Sequence, residues 1–176
     1  MKQTLILFMQ DEPGVLNRIS SLVRRRNFNI ESIVAGRTEK EGITRMTLVV
    51  NEPDINKRKT IINNIKRLVE IYDVVDATGQ DCHIREHALV KISINESNRK
   101  DIDELVSSGN CKILDNKNDA MVLELSGNES IVEENIKYLE KYTILELLRS
   151  GKMAMLSGND EKNKPNIIKS SPYWDH

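Results

Sequence analysis

The segment most able to do chemistry is DEPGVL at residues 11–16. An apolar run ends just before it and an amphipathic pattern follows it, which predicts a strand, a turn and a helix start. Free backbone N–H groups at a helix start can hold a carboxylate, and Gly14 lets a ligand approach closely. Junctions of this kind are also common as plain turns, so the spacing alone leaves both interpretations open.

A second polar segment, NFNIES at residues 27–32, leads into the next predicted strand. Its side-chain oxygens can accept hydrogen bonds from an ammonium group, whereas the helix start offers N–H donors to a carboxylate. In a βαββαβ fold we expect the two segments to lie at the same end of the sheet. Together they would then bind both halves of an amino-acid zwitterion.

These segments are positioned by a βαββαβ order that the hydrophobic pattern predicts over the first eighty residues. Asn27 is the expected end of the first helix, and Asp54 is the expected N-cap of the second. The order repeats from Ala88 onward, with an Asn/Asp turn between its second and third strands. The predicted fold class is therefore α+β, with two ferredoxin-like βαββαβ units in tandem.

We place the first domain at residues 1–79, a polar linker at 80–87, the second domain at 88–158 and a polar tail at 159–176. The tail contains the only tryptophan, Trp174, and its composition is typical of a mobile terminus. A unit of about 75 residues has a thin core, so we expect pairing through sheet edges into an oligomer.

Composition excludes several classes of function. The chain has 26 Lys+Arg against 27 Asp+Glu, and aromatic residues make up only 4%, which argues against nucleic acid or an anionic membrane as a partner. The two cysteines cannot form a disulfide framework, and no apolar run is long enough to be a signal or a membrane span. We expect a cytoplasmic protein.

Two other chemical readings of the sequence are weaker. Cys82, His83 and His87 could be read as soft metal ligands, but only three such residues come together, and we interpret the segment as a linker. The sequence contains no motif of a nucleophile with its base, or of a phosphate-binding loop.

Residues 11–33, DEPGVLNRISSLVRRRNFNIESI, with RMT at residues 45–47, resemble the ACT domain of the small regulatory subunits of acetolactate synthase (acetohydroxyacid synthase). The likeness continues through GQ at 79–80, His83, RE at 85–86 and LVKI at 89–92. It closes with RSG at 149–151 and LSG at 156–158, and so covers residues 1–158.

The resemblance implies a chain that does not itself catalyse. It would bind a separate large catalytic subunit that uses thiamine diphosphate, magnesium and FAD, raise that subunit's activity and confer feedback inhibition by valine or a related branched-chain amino acid. It also implies a homodimer that pairs through the ACT sheets. The alternative is a stand-alone ACT-type amino-acid sensor without an enzyme partner.

The family also implies the effector site, which lies at the dimer interface. Carried over by position, four residues of one chain face two residues of the other. The four are Asp11, Gly14, Val15 and Leu16, and the two are Asn29 and Ile30.

One of these positions departs from the family pattern, because many members have Asn where this chain has Asp11. An ionised Asp only accepts hydrogen bonds, so it would favour an effector's ammonium. Against the effector's carboxylate at about 5 Å, it would cost roughly 3 kcal/mol at an effective dielectric constant of about 20. The sequence leaves these two orientations open.

Overall fold

The computed structural model describes residues 2–94, 99–107, 109 and 111–158. This part of the chain forms two units. The first unit holds the residues up to His83 together with residues 154–158, and the second unit is Ile84–Met153. The tail expected at 159–176 lies outside the described residues.

The elements of the first unit follow the predicted βαββαβ order. They are β1 (Lys2–Gln10), α1 (Val15–Arg25), β2 (Asn29–Arg37), β3 (Ile43–Asn51), α2 (Ile55–Ile65) and β4 (Ile71–Asp76). The strands form an antiparallel sheet in the order β2-β3-β1-β4. Because β2 and β1 both pair antiparallel with β3, they run parallel to each other, and β2 is an edge strand.

The second sheet repeats this topology. Its elements are β5 (Cys82–Ser93), α3 (Arg99–Ser107), β6 (Cys111–Lys117), β7 (Ala120–Gly127), α4 (Glu129–Leu139), β8 (Ile144–Arg149) and β9 (Met153–Leu156). The strand order is β6-β7-β5-β8, and β9 pairs with β5. The expected Asn/Asp turn joins β6 to β7, where Asn118 and Asp119 both have positive φ. Because strands and helices follow the same order in both units, the structure confirms the α+β fold class with two ferredoxin-like units in tandem.

Helix α1 forms because one of its faces is apolar and its end is capped. Val15, Ile19 and Val23 are buried against the first sheet. After the helix, Asn27 adopts a left-handed φ of 59°, its N–H donates to the Arg24 carbonyl, and the Phe28 N–H donates to the Val23 carbonyl. This is a Schellman ending, which confirms Asn27 as the stop that the sequence predicts.

The face of the first sheet opposite its helices is also covered. Arg45 and Thr47 alternate with the core residue Met46 and so point to that face. The Ala154 N–H donates to Thr47 Oγ1 at 3.3 Å, and the Arg45 guanidinium donates to the Ala154 carbonyl. The guanidinium lies over the Phe8 ring, 5.9 Å from its centroid, and burial lowers its pKa. The RMT segment at 45–47 therefore anchors β9 to the first unit.

Two local features differ from the sequence-based expectations. Strand β5 begins at Cys82, inside the segment 80–87 that we expect to be a linker, because Cys82 to Glu86 already alternate between partly or fully buried and exposed positions. Strand β9 is absent from the predicted element order, since a four-residue strand is too short to give a periodic signal.

Candidate functional site

The junction between β1 and α1 contains the predicted strand, turn and helix start. Gly14 is the N-cap residue of α1 and has a φ of 90°, a left-handed conformation that is strained for residues with a side chain. The Asp11 N–H donates to the Gly42 carbonyl at 2.9 Å, which fixes the turn against the loop between β2 and β3. The glycine is therefore required by the backbone of the turn.

No side chain caps the N-terminus of α1. By contrast, Asp54 Oδ1 accepts from the Asn56 and Lys57 N–H groups at 2.7 and 3.3 Å at the start of α2. Helix α4 is capped in the same way by Asn128. The first-turn N–H groups of an α-helix have no acceptor within the helix and carry a partial positive charge. The start of α1 can therefore receive an anion.

A cleft of about 300 Å³ lies beside this helix start. Its apolar lining includes Met9, Val15 and Leu16. Val15 is buried, whereas Leu16 is 48% exposed and forms part of the open wall. The cleft therefore joins an anion-accepting helix start to an apolar surface, which suits a small molecule with a carboxylate and an aliphatic group.

Asp11 also lines the cleft, but its carboxylate already has partners in the same chain. Thr44 Oγ1 donates to Asp11 Oδ1 at 2.9 Å, and Arg37 Nε lies 3.3 Å from Asp11 Oδ2. Arg37 and Thr44 line the cleft as well. The Asp11 carboxylate is therefore compensated by a cation within its own chain, an arrangement that the two orientations considered from the sequence do not include.

Asn29 and Ile30 lie at the other end of the sheet, so the expectation that both segments share one end within a chain is wrong. Asn29 pairs with Asn51, whereas Arg37, at the far end of β2, pairs with Thr44 beside the cleft. Eight residues of strand separate Asn29 from Arg37, about 26 Å at about 3.3 Å per residue. The reason is topological, since a crossover helix between parallel strands returns the chain to the opposite end of the sheet.

Arg37 and Thr44 are the two cleft residues in contact with the Asp11 carboxylate, and sequence reasoning missed both. They flank the short connection between β2 and β3 and are paired in the sheet register. Counting outward from that connection, together with the strand order of the fold, is the signal that would have placed both beside the end of β1.

The remaining candidates form no second site in the described chain. Among the residues that the structure describes, Cys82, His83 and His87 included, no group of three or more His, Cys, Asp or Glu side chains could hold a metal ion. Within the same residues, no helix has both the length and the apolar character needed to cross a membrane.

Comparison with known proteins agrees with the fold. A ferredoxin-like sheet with a cleft at its first strand–helix junction defines the class as an ACT-type regulatory domain, and residues 5–74 match the family model of the acetohydroxyacid synthase small subunit-like ACT domain. Residues 85–158 match the family model of the small subunit of acetolactate synthase. The chain belongs to the acetolactate synthase small-subunit family.

Full-length relatives support this assignment. The probable acetolactate synthase small subunit of Archaeoglobus fulgidus is 36% identical over 90% of this chain and 99% of its own. The acetolactate synthase small subunit of Bacillus subtilis is 32% identical over 94% of this chain and 96% of its own. The crystal structure of the small subunit from Thermotoga maritima matches with a TM-score of 0.83 and 28% identity, over 91% of this chain and 99% of that one. These matches support a non-catalytic, regulatory role.

Proposed function

We propose that this chain activates the catalytic subunit of acetolactate synthase and makes it inhibitable by a branched-chain amino acid, with valine as the effector. Thiamine diphosphate, magnesium and FAD would reside on the catalytic subunit. The observation that carries the proposal is the uncapped start of α1 beside an apolar cleft, in a chain that matches small subunits over nearly its whole length. A cytoplasmic location follows from this biosynthetic role.

The cleft residues have distinct roles in this proposal. The effector's carboxylate accepts hydrogen bonds from the first-turn N–H groups of α1, which Gly14 leaves accessible because it has no side chain. The aliphatic side chain packs against Val15 and Leu16, which line the cleft. Burying a valine-sized group contributes about 1.5–3 kcal/mol at most, and selects against polar amino acids.

A homodimer would complete the site. Edge strand β2 can pair with β2 of a second copy, and an antiparallel pairing centred near Ile33 would bring the second copy's Asn29 and Ile30 beside the Arg37 end of the first. The side-chain oxygen of Asn29 would then accept hydrogen bonds from the effector's ammonium. This arrangement accounts for two halves of a site that are about 26 Å apart within one chain.

Regulation requires that the effector bind the two functional states of the complex with different affinities. A coupling of ordinary size, about 1–3 kcal/mol, corresponds to a 5–150-fold change in affinity. We propose that residues 1–79 sense the effector, and that residues 88–158, together with the surface of the first unit, dock on the catalytic subunit.

A mixing experiment tests the two-chain site. Gly14→Asp and Asn29→Ala each remove a different half, so neither homodimer should bind valine measurably by calorimetry. Subunit exchange between the two variants would form hybrid dimers in which one of the two sites is intact, so binding should reappear at one site per hybrid dimer. A mixture that binds no valine, from variants that exchange subunits, would contradict the shared site.

A further inference from the structure

The ion pair between Asp11 and Arg37 has a consequence for ligand selection at the cleft. One carboxylate oxygen of Asp11 accepts a hydrogen bond from Thr44, and the other forms the ion pair with Arg37 Nε. A carboxylate effector that enters a cleft lined by an unpaired Asp would be repelled. The cation that opposes this repulsion is Arg37, whose side chain is 88% exposed.

Arg37 keeps binding capacity after it contacts Asp11. A guanidinium has five N–H donors in a planar fork, and the Asp11 pair uses Nε. Among the residues that the structure describes, Arg37 forms no ion pair other than the one with Asp11. The two terminal nitrogens form the edge that typically binds a carboxylate with two hydrogen bonds.

We propose that Arg37, oriented by Asp11, binds the effector's carboxylate at the mouth of the cleft and makes the site selective for free amino acids over derivatives that lack the carboxylate charge. The inference rests on the proposed function and assigns a selectivity residue to the same site. Arg37 is the residue in contact with the ligand, and Asp11 is a positioning residue that acts through Arg37 and Thr44.

Calorimetric titration of the full chain with L-valine and with L-valinamide, which lacks the carboxylate charge, tests the assignment. Arg37→Ala exposes the ligand to the uncompensated Asp11 charge, so valine affinity should fall by roughly tenfold or more. Valinamide has an ammonium but no carboxylate, so its affinity should not fall, and the ratio of valine affinity to valinamide affinity decreases. Arg37→Lys keeps the charge and should recover part of the loss. Arg24→Ala, which removes another exposed arginine at the end of α1, should leave both affinities unchanged.

The double variant Asp11→Asn/Arg37→Ala separates charge compensation from direct contact with the ligand. Removal of both charges relieves the repulsion but does not replace the hydrogen bonds of Arg37, so valine affinity should recover only in part and stay below that of the unaltered protein. Equal valine affinity in Arg37→Ala and the unaltered chain would overturn the inference, as would a double variant that binds valine as tightly as the unaltered chain. Failure of the unaltered chain to bind valine would instead overturn the proposed function, and the selectivity assignment with it.

Discussion

The start of α1 differs from the starts of α2 and α4, although α1 and α2 belong to the same unit. Helices α2 and α4 occupy the same place in the fold, between the third and fourth strands, and each is capped by a side chain, from Asp54 and Asn128. Helix α1 begins at Gly14 without a side-chain cap, and a cleft lies beside it. Among the helix starts whose caps the structure describes, those of α2 and α4 are closed by a side chain and that of α1 is open to a ligand.

Arg37 in the first unit and Arg149 in the second unit differ in the contacts that they make. Arg37 in the first unit contacts Asp11 in an exposed pair that lines the cleft. In the second unit, Arg149 donates to both oxygens of the buried Glu86 at 2.7 and 3.0 Å, and to Glu133 at 2.8 Å. The hydrogen bonds to Glu86, and then those to Glu133, raise the pKa of Arg149. The second unit uses its arginine to tie β8 to β5 and α4.

Gly14→Asp should produce the largest effect on the first unit's function. The new side chain would be strained at a φ of 90° and would place a negative charge where the effector's carboxylate binds. We expect valine affinity to fall by about a hundredfold or more, while assembly with the catalytic subunit is retained. Calorimetry and co-purification measure the two properties.

Gly79→Asp is the matched control, because Gly79 also has a positive φ, of 72°, and space for a side chain, but it follows Ala77, whose N–H donates to the Thr4 carbonyl at the end of β1 far from α1. It should cost similar stability and leave valine binding intact. Equal loss of binding in both variants would mean that backbone strain, not the site, explains the result.

Arg149→Ala should destabilise the second unit more than loss of an exposed ion pair does. It leaves the Glu86 carboxylate, whose side chain is 3% exposed, buried without its cation. We expect a loss of about 2 kcal/mol, below the roughly 3–5 kcal/mol of a fully buried pair because Arg149 is partly exposed. Lys91→Ala breaks the exposed pair with Glu146 and should cost less stability than Arg149→Ala, because both charges of that pair are solvated. Urea unfolding compares them, and equal losses would show that burial of Glu86 does not set the cost.

Removal of the two caps should have a smaller and purely structural effect. Asp54→Ala and Asn128→Ala each leave first-turn N–H groups without their side-chain acceptor, at a cost of about 1 kcal/mol. Thermal unfolding measures the cost, and valine titration should show unchanged affinity. A change in valine affinity for Asp54→Ala would mean that α2 also contributes to the site.

Cys111 provides the smallest expected effect, on the core of the second unit. Burial raises the pKa of its thiol from 9.0 to about 11. The thiol ionises first in the unfolded chain, so its contribution to stability is present below about pH 9 and is lost as the pH rises to about 11. Between pH 8 and pH 10, Cys111→Ala should therefore lose about 1 kcal/mol less stability than the unaltered chain, as measured by urea unfolding. Identical losses would contradict the burial of the thiol.

Local signals account for what the sequence predicts well. Asp54 at the start of α2 and Asn27 at the end of α1 use chemistry that depends on a few neighbouring residues, and both are found in the predicted roles. The turn at Asn118 and Asp119 is of the same kind. The tandem fold could be predicted because, over many residues, the spacing of the apolar residues matches the period of the helix or strand that they form.

The features that were wrong or missed depend on relations between distant strands. The placement of Asn29 depends on β1 and β2 being parallel, which no local pattern gives. The pairing of Asp11 with Arg37 and Thr44 depends on the register of three strands. Strand β9 is held by Thr47 and Arg45, more than a hundred residues earlier in the chain. The use of Asn29 and Ile30 in the site stays a prediction.

Acetolactate formation by the catalytic subunit, measured with and without this chain across a valine titration, tests the central claim most directly. The account predicts that the chain raises the rate, that valine then lowers it, and that Gly14→Asp keeps the increase but loses the inhibition. A catalytic subunit whose rate does not change when this chain is added would contradict the regulatory role and favour a stand-alone sensor.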